Sequence, residues 1–219
     1  MENSEYRVTR REALVAAGGF AAGAALVSIG GAGSAYAAPA PQMPESNRTN
    51  LGLYVTPQEA YEMWKASPDR VHIIDVRAFE EYIFVGHPEM ARNIPLVFPK
   101  FEYPDPNKAP PAAAAGKLPP GCSGVPNPGF IPVVKGLFGP TDTLLMICST
   151  GGRGAMAVNQ LAKAGFTKVF NIVNGLEGDM VNDPGSVYHG KHMRNGWKNC
   201  GLPWTYTFDP DLMWVAPEA

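Results

Sequence analysis

Apolar residues along this chain gather into short blocks separated by Gly- and Pro-rich stretches. Leu53-Tyr54-Val55 reads as a short strand. Thr56-Pro57-Gln58-Glu59 is a helix start, with Thr at the N-cap, Pro at the first helical position and Glu at the capping-box position. The helix should run to about Ala66, with Ala60, Met63 and Trp64 on one face. Val71–Ile74 is a β-branched strand, and a short helix is expected around Glu80–Tyr82. Thr143–Ile147 is a continuous apolar run of the kind a parallel strand shows when both its faces are buried. Residues 154–164 carry Ala155, Val158, Leu161 and Ala162 on one helical face and Asn159, Gln160 and Lys163 opposite, with Gly165 as the stop. Lys168–Val173 is the next strand. Strands alternating with helices predict an α/β domain with a parallel sheet covered by helices on both faces.

The stretch 97–140 breaks this rhythm. It holds eleven prolines, a density expected to exclude regular helix or a central strand. It is expected to be a long insertion loop, partly polyproline-like, of the kind that is either functional or disordered.

At the N-terminus, Arg10-Arg11 precede an Ala/Gly-rich apolar run reaching about Gly33, and Ala35-Tyr36-Ala37 follows as an A-x-A cleavage signal. Six glycines within the run (Gly18, Gly19, Gly23, Gly30, Gly31 and Gly33) make it a poor membrane helix. Residues 1–37 are therefore read as a twin-arginine-type signal peptide, 38–50 as a flexible linker and 51–219 as one domain with an aromatic C-terminal extension. The destination is the periplasm. Residues 1–37 hold three arginines (Arg7, Arg10 and Arg11) and three glutamates (Glu2, Glu5 and Glu12), so cleavage leaves the net charge at -2.

That charge gives no reason to expect a nucleic-acid partner. With 45% hydrophobic and 17% charged residues, a sizeable core is expected. Three cysteines, Cys122, Cys148 and Cys200, are too few for a disulfide scaffold, and there is no C-x-x-C pair.

Cys148-Ser149-Thr150-Gly151-Gly152-Arg153 lies between a buried strand and a helix, where open α/β sheets place their sites. Two glycines allow a tight turn with successive N–H groups aimed inward. The helix N-terminus and Arg153 add positive charge, so all three features favour a thiolate on Cys148.

Here the sequence resembles the rhodanese family. The loop fits its C-x-x-G-x-R pattern. Asp75-Val76-Arg77, Gly86-His87, Asn93-Ile94-Pro95, Asn174-Gly175 and Gly201-Leu202-Pro203 fit its other elements in order, over roughly residues 53–97 and 141–204. The resemblance implies a central five-stranded parallel sheet and sulfane-sulfur transfer through a persulfide on Cys148. It further implies a cradle of loop N–H groups from Ser149, Thr150, Gly151 and Gly152 to Arg153, with Asp75 and Arg77 bracing that loop. The substrates implied are a small donor such as thiosulfate and a thiol or cyanide acceptor, or a periplasmic acceptor protein. No metal or cofactor is implied. Phosphatases of related fold have a longer loop; the four residues between Cys148 and Arg153 suit a sulfur atom better than a phosphate. Gly154 after the arginine and Met90 before the A-x-N segment depart from the family pattern, as does the 97–140 insertion.

Other signals are weaker. His189-x-x-His192 with Cys200 has no standard zinc spacing, and His72 on an apolar strand reads as a core histidine. Trp197, Trp204, Tyr206, Phe208 and Trp214 are expected to pack over the sheet edge, or else to dock a partner. Two rivals to catalysis remain: a non-catalytic persulfide carrier or docking module, and a redox protein pairing Cys148 with Cys122 or Cys200. A Cys122–Cys200 bridge is a third use of those thiols.

Overall fold

The computed structural model describes residues 44–101, 122–207 and 209–214. The expected leader, the first part of the expected linker, much of the 97–140 stretch and Phe208 lie outside them.

The described chain enters through strand β1 (Tyr54–Val55) and helix α1 (Pro57–Ala66). α1 starts where its sequence directs. The Glu59 N–H donates to Thr56 Oγ1 at 3.2 Å and the Thr56 N–H to Glu59 Oε2 at 2.8 Å, a complete capping box. Then follow β2 (Val71–Asp75), α2 (Phe79–Phe84), β3 (His87–Pro88), β4 (Arg92–Asn93), β5 (Val97–Phe101), β6 (Cys122–Pro126) and α3 (Phe130–Leu137). The chain continues through β7 (Thr143–Ile147), α4 (Gly152–Lys163), β8 (Val169–Ile172), β9 (Asp179–Met180), β10 (His192–Arg194), α5 (Gly196–Asn199) and β11 (Trp204–Thr205).

Five strands form one parallel sheet in the order β1-β8-β7-β2-β4. The apolar run 143–147 is its central strand, and Leu144 to Ile147 are each 0% exposed. Their side chains alternate between two cores. Leu144 and Met146 join Ile74, Phe130, Val134, Val158 and Leu161 beneath α3 and α4. Leu145 and Ile147 join Val55, Ala60, Ile73 and Trp197 beneath α1 and α5. Each such side chain contributes roughly 1.5–3 kcal/mol of burial free energy. The two-faced parallel sheet is as expected from the alternation of strands and helices.

The 97–140 stretch is a correction. It contains an antiparallel ribbon, β5 on β6, paired from Val97↔Pro126 to Phe101↔Cys122, and the helix α3. Proline is compatible with both. In a two-stranded ribbon each strand has an outward edge, where a missing N–H breaks no ladder bond. Pro132 lies in the first turn of α3, whose N–H groups have no intrahelical partner in any case. Burial of Phe130 and Val134 then holds α3 against the sheet.

The linker reading is also corrected for residues 44–50. Glu45–Asn47 form a single 3-10 turn, and the segment is tied to α4 by side-chain bonds. The Asn50 N–H donates to Asn159 Oδ1 at 2.7 Å, and Asn159 Nδ2 donates to the Arg48 carbonyl at 3.5 Å. Nothing in the polar composition of 44–50 reveals an anchor more than a hundred residues away.

Among the described residues, the late aromatics do not form one patch. Trp197 is 0% exposed in the α1/α5 core, with Nε1 donating to the Pro203 carbonyl at 2.8 Å. Trp204 pairs with β3 through β11, and Trp214 packs on Phe98 with ring centroids 5.2 Å apart. His72 is only half-buried, its ring 4.7 Å from that of Phe138, and burial lowers its pKa.

Candidate active site

The central strand ends at Ile147 and Cys148 follows, 1% exposed. Strand order reverses between β7 and β2, the switch point where open α/β sheets gather functional groups. The next residues turn sharply into α4. The turn passes through Gly151 at φ +101°, a left-handed conformation that costs glycine little. It aims the Gly151 N–H at Cys148 Sγ, 3.1 Å away.

The loop is held from four directions. The Leu176 N–H donates to the Cys148 carbonyl at 2.8 Å and the Glu177 N–H to the Ser149 carbonyl at 2.9 Å. Ser149 Oγ donates to Glu177 Oε2. Asn171 Nδ2 on β8 donates to the Gly151 carbonyl at 3.1 Å, and Asn47 Nδ2 reaches the exposed Thr150 through its carbonyl at 3.3 Å. Gly152 opens α4.

Arg153 is not a free cation. Its Nη1 and Nη2 donate to the two oxygens of Glu81 on α2, at 2.5 and 2.6 Å. Burial works against the charged guanidinium, but the Glu81 hydrogen bonds and charge, with a further contribution from Cys148, raise its pKa. Burial likewise opposes the Glu81 carboxylate; the bonds and charge of Arg153 and the Ala78 N–H outweigh it and lower the Glu81 pKa.

Asp75 and Arg77 meet each other, both 0% exposed. Arg77 Nη2 donates to Asp75 Oδ2 at 2.6 Å and to the Gly86 carbonyl at 2.7 Å. Asn93 Nδ2 donates to the carbonyls of Asp75 and Arg77. Burial pushes the Arg77 guanidinium down, but Asp75 overrides it and raises the pKa. These bonds brace the β2–β4 corner beside the Cys148 loop. The corner is joined to β7 by the Val76 N–H to the Ile147 carbonyl at 2.9 Å. His87 stacks on Tyr82 with centroids 3.5 Å apart, and burial lowers its pKa.

Cys200 follows α5 and carries a free thiol; the Cys122 side chain, and with it the expected bridge, lies outside the described part. His192 Nδ1 bonds to the Gly178 carbonyl at 2.7 Å.

Sequence reasoning missed Asn47, Glu81, Asn171, Glu177 and Lys198. Asn171 alone left a trace, as a polar residue inside the apolar run Val169–Ile172. The others lie on segments whose facing is set by packing. Lys198 on α5 donates through Nζ to the Val85 carbonyl and sits 3.7 Å from the Trp204 ring centroid. Burial first, then Arg77, lowers its pKa, while Glu177 opposes the shift.

This geometry has counterparts among known proteins. The Rv0390 protein of M. tuberculosis has the same fold: TM-score 0.50 and 23% identity, over 69% of this chain and 96% of that one. Two curated plant proteins match parts of the sequence. Senescence-associated protein DIN1 of Raphanus sativus is 30% identical over 102 residues, 47% of this chain and 44% of its own length. Thiosulfate sulfurtransferase 16, chloroplastic, of Arabidopsis thaliana is 43% identical over 56 residues, 25% of this chain and 47% of its own length. The matched stretches thus span less than half of either relative. The family model described as Rhodanese-like domain matches residues 56–180. That span takes in the whole central sheet except β1, together with the Cys148 loop, and this chain belongs to the rhodanese-like domain family.

Proposed function

We propose that this protein is a sulfurtransferase that carries sulfane sulfur as a persulfide on Cys148. The observation that supports the reading best is the hydrogen bond from the Gly151 N–H to Cys148 Sγ, at the end of the central strand and the start of α4. A partial positive charge from the helix end and an N–H pointed at sulfur favour an anionic sulfur atom there. The partial match to a relative named as a thiosulfate sulfurtransferase points the same way.

In the first step the Cys148 thiolate attacks the outer sulfur of the donor. The donor's S–S bond breaks and its electron pair leaves on the remaining fragment, sulfite when the donor is thiosulfate. In the second step a thiophile, cyanide or a thiolate, attacks the outer sulfur of the persulfide and regenerates the Cys148 thiolate. Arg153, fixed by Glu81, would hold positive charge beside the sulfur through both steps. Ser149, Thr150, Gly151 and Gly152 would form the wall of the cradle. Residues 1–37 would act as the export leader, and the periplasm as the site of action.

The test is thiocyanate release from cyanide with a sulfane donor. Wild-type protein should turn over. Cys148→Ser should lose activity by at least a thousandfold, since a hydroxyl cannot hold sulfane sulfur. The fold should survive, as Sγ and Oγ differ little in size. Persistent turnover in Cys148→Ser sinks the proposal.

A further inference from the structure

Two arginines near the Cys148 loop are paired with carboxylates, and a lysine on α5 lies within the field of a third. Arg77 is bound to Asp75, Arg153 is gripped at two points by Glu81, and Lys198 feels the charge of Glu177. Glu81 meets the loop at its far end, through Arg153, whereas Glu177 is bonded to the residue next to Cys148. It accepts the hydroxyl proton of Ser149, the neighbour of Cys148, and its own N–H donates to the Ser149 carbonyl at 2.9 Å. Lys198 is not free to step in as a counter-ion: its Nζ is taken up by the Val85 carbonyl and the Trp204 ring.

Two consequences act in the same direction. A carboxylate bonded to the neighbour of Cys148 repels a donor in proportion to the donor's charge. The Ser149 hydroxyl, with its proton committed to Glu177, has none to offer an incoming oxyanion. We propose that Glu177 is a specificity-determining residue that biases the Cys148 site against dianionic donors such as thiosulfate and towards donors of one negative charge or none, namely organic hydropersulfides. The inference rests on the sulfur-transfer reading above. The favoured loading step balances without a further reagent. The Cys148 thiolate attacks the terminal sulfur of R–S–S–H, forming a Cys148 S–S bond. The donor's S–S bond breaks, its electron pair departs as the thiolate R–S⁻, and the proton stays on the transferred sulfur.

The experiment compares second-order rates of loading Cys148, followed by the mass of one added sulfur, for thiosulfate and for 2-hydroxyethyl hydropersulfide. Full-length wild type, Glu177→Gln and Glu177→Asp are compared. Glu177→Gln keeps an acceptor for Ser149 but removes the charge. Its thiosulfate-to-hydropersulfide rate ratio should rise roughly threefold or more, the screened effect of one unit of charge at several ångströms. Glu177→Asp keeps the charge and should hold the ratio near the wild-type value. A purely structural role would move both rates together, so an unchanged ratio in Glu177→Gln overturns the inference while leaving sulfur transfer standing. If neither donor loads wild-type Cys148, the sulfurtransferase reading itself falls.

Discussion

Gly154 stands where members of the family often carry a residue with a side chain, and its neighbours explain the difference. A Cβ built there would lie 2.3 Å from Asn171 Oδ1 and 3.3 Å from the Met146 carbonyl. Asn171 is the residue whose Nδ2 holds the Gly151 carbonyl, so the missing methyl leaves room for the brace of the Cys148 loop. Gly154→Ala improves intrinsic helix propensity by somewhat under 1 kcal/mol. The clash should outweigh that gain, because overpacking a buried site costs about 1–3 kcal/mol. The variant is therefore expected to be less stable in denaturant unfolding and slower in sulfur loading. An alanine variant as stable as wild type would show that Asn171 can swing aside. Arg153 and Glu81 teach a related lesson. An arginine five positions after the loop cysteine is legible as a motif residue. Its carboxylate partner, 72 residues earlier, is one of two adjacent glutamates that local pattern does not tell apart.

At the scale of elements, local signals were read well wherever a segment's own residues decide its shape. The Thr56–Glu59 capping box, the continuous apolar run of β7 and the amphipathic face of α4 all occur near their expected positions. Reading failed where a segment is stabilised by something distant. α3 forms despite Pro132 because Phe130 and Val134 find a core. Residues 44–50 are held by Asn159 on the outer face of α4. The same contact yields a prediction. Asn159→Ala removes the acceptor of the Asn50 N–H and the donor to the Arg48 carbonyl. It should cost about 1 kcal/mol, the net worth of an ordinary hydrogen bond. The Asn50 amide should then exchange with deuterium faster than in wild type. Unchanged exchange would mean that the segment is held by other contacts.

For the whole molecule, the described residues belong to the unit spanning Ser34–Ala219, and among them no helix is long and apolar enough to cross a membrane. The proposed export therefore rests on residues 1–37, outside the described part. Changing Arg10 and Arg11 to lysine keeps the charge but removes the paired arginines, which a receptor reads as a signal. Periplasmic yield should fall at least tenfold while total expression is maintained. An unchanged yield would assign export to the general secretory route.

The sequence alone determined the class of fold, the position of Cys148 at a strand–helix junction and the membership of Asp75, Arg77 and Arg153 in its surroundings. The first two follow from local periodicity and a short motif; the place of Asp75 and Arg77 was what the family resemblance implied. Tertiary structure alone decided which carboxylate neutralises Arg153, that Glu177 and Asn171 hold the loop, and that 44–50 lies against α4. It also placed Asp75 opposite Ile147 on the neighbouring strand, with Arg77 bound to it. The physical reason is that charge pairing and buried hydrogen bonds depend on distance in space. In a parallel sheet, neighbouring strands are separated by a whole crossover of sequence, so no local pattern encodes which side chains meet across them.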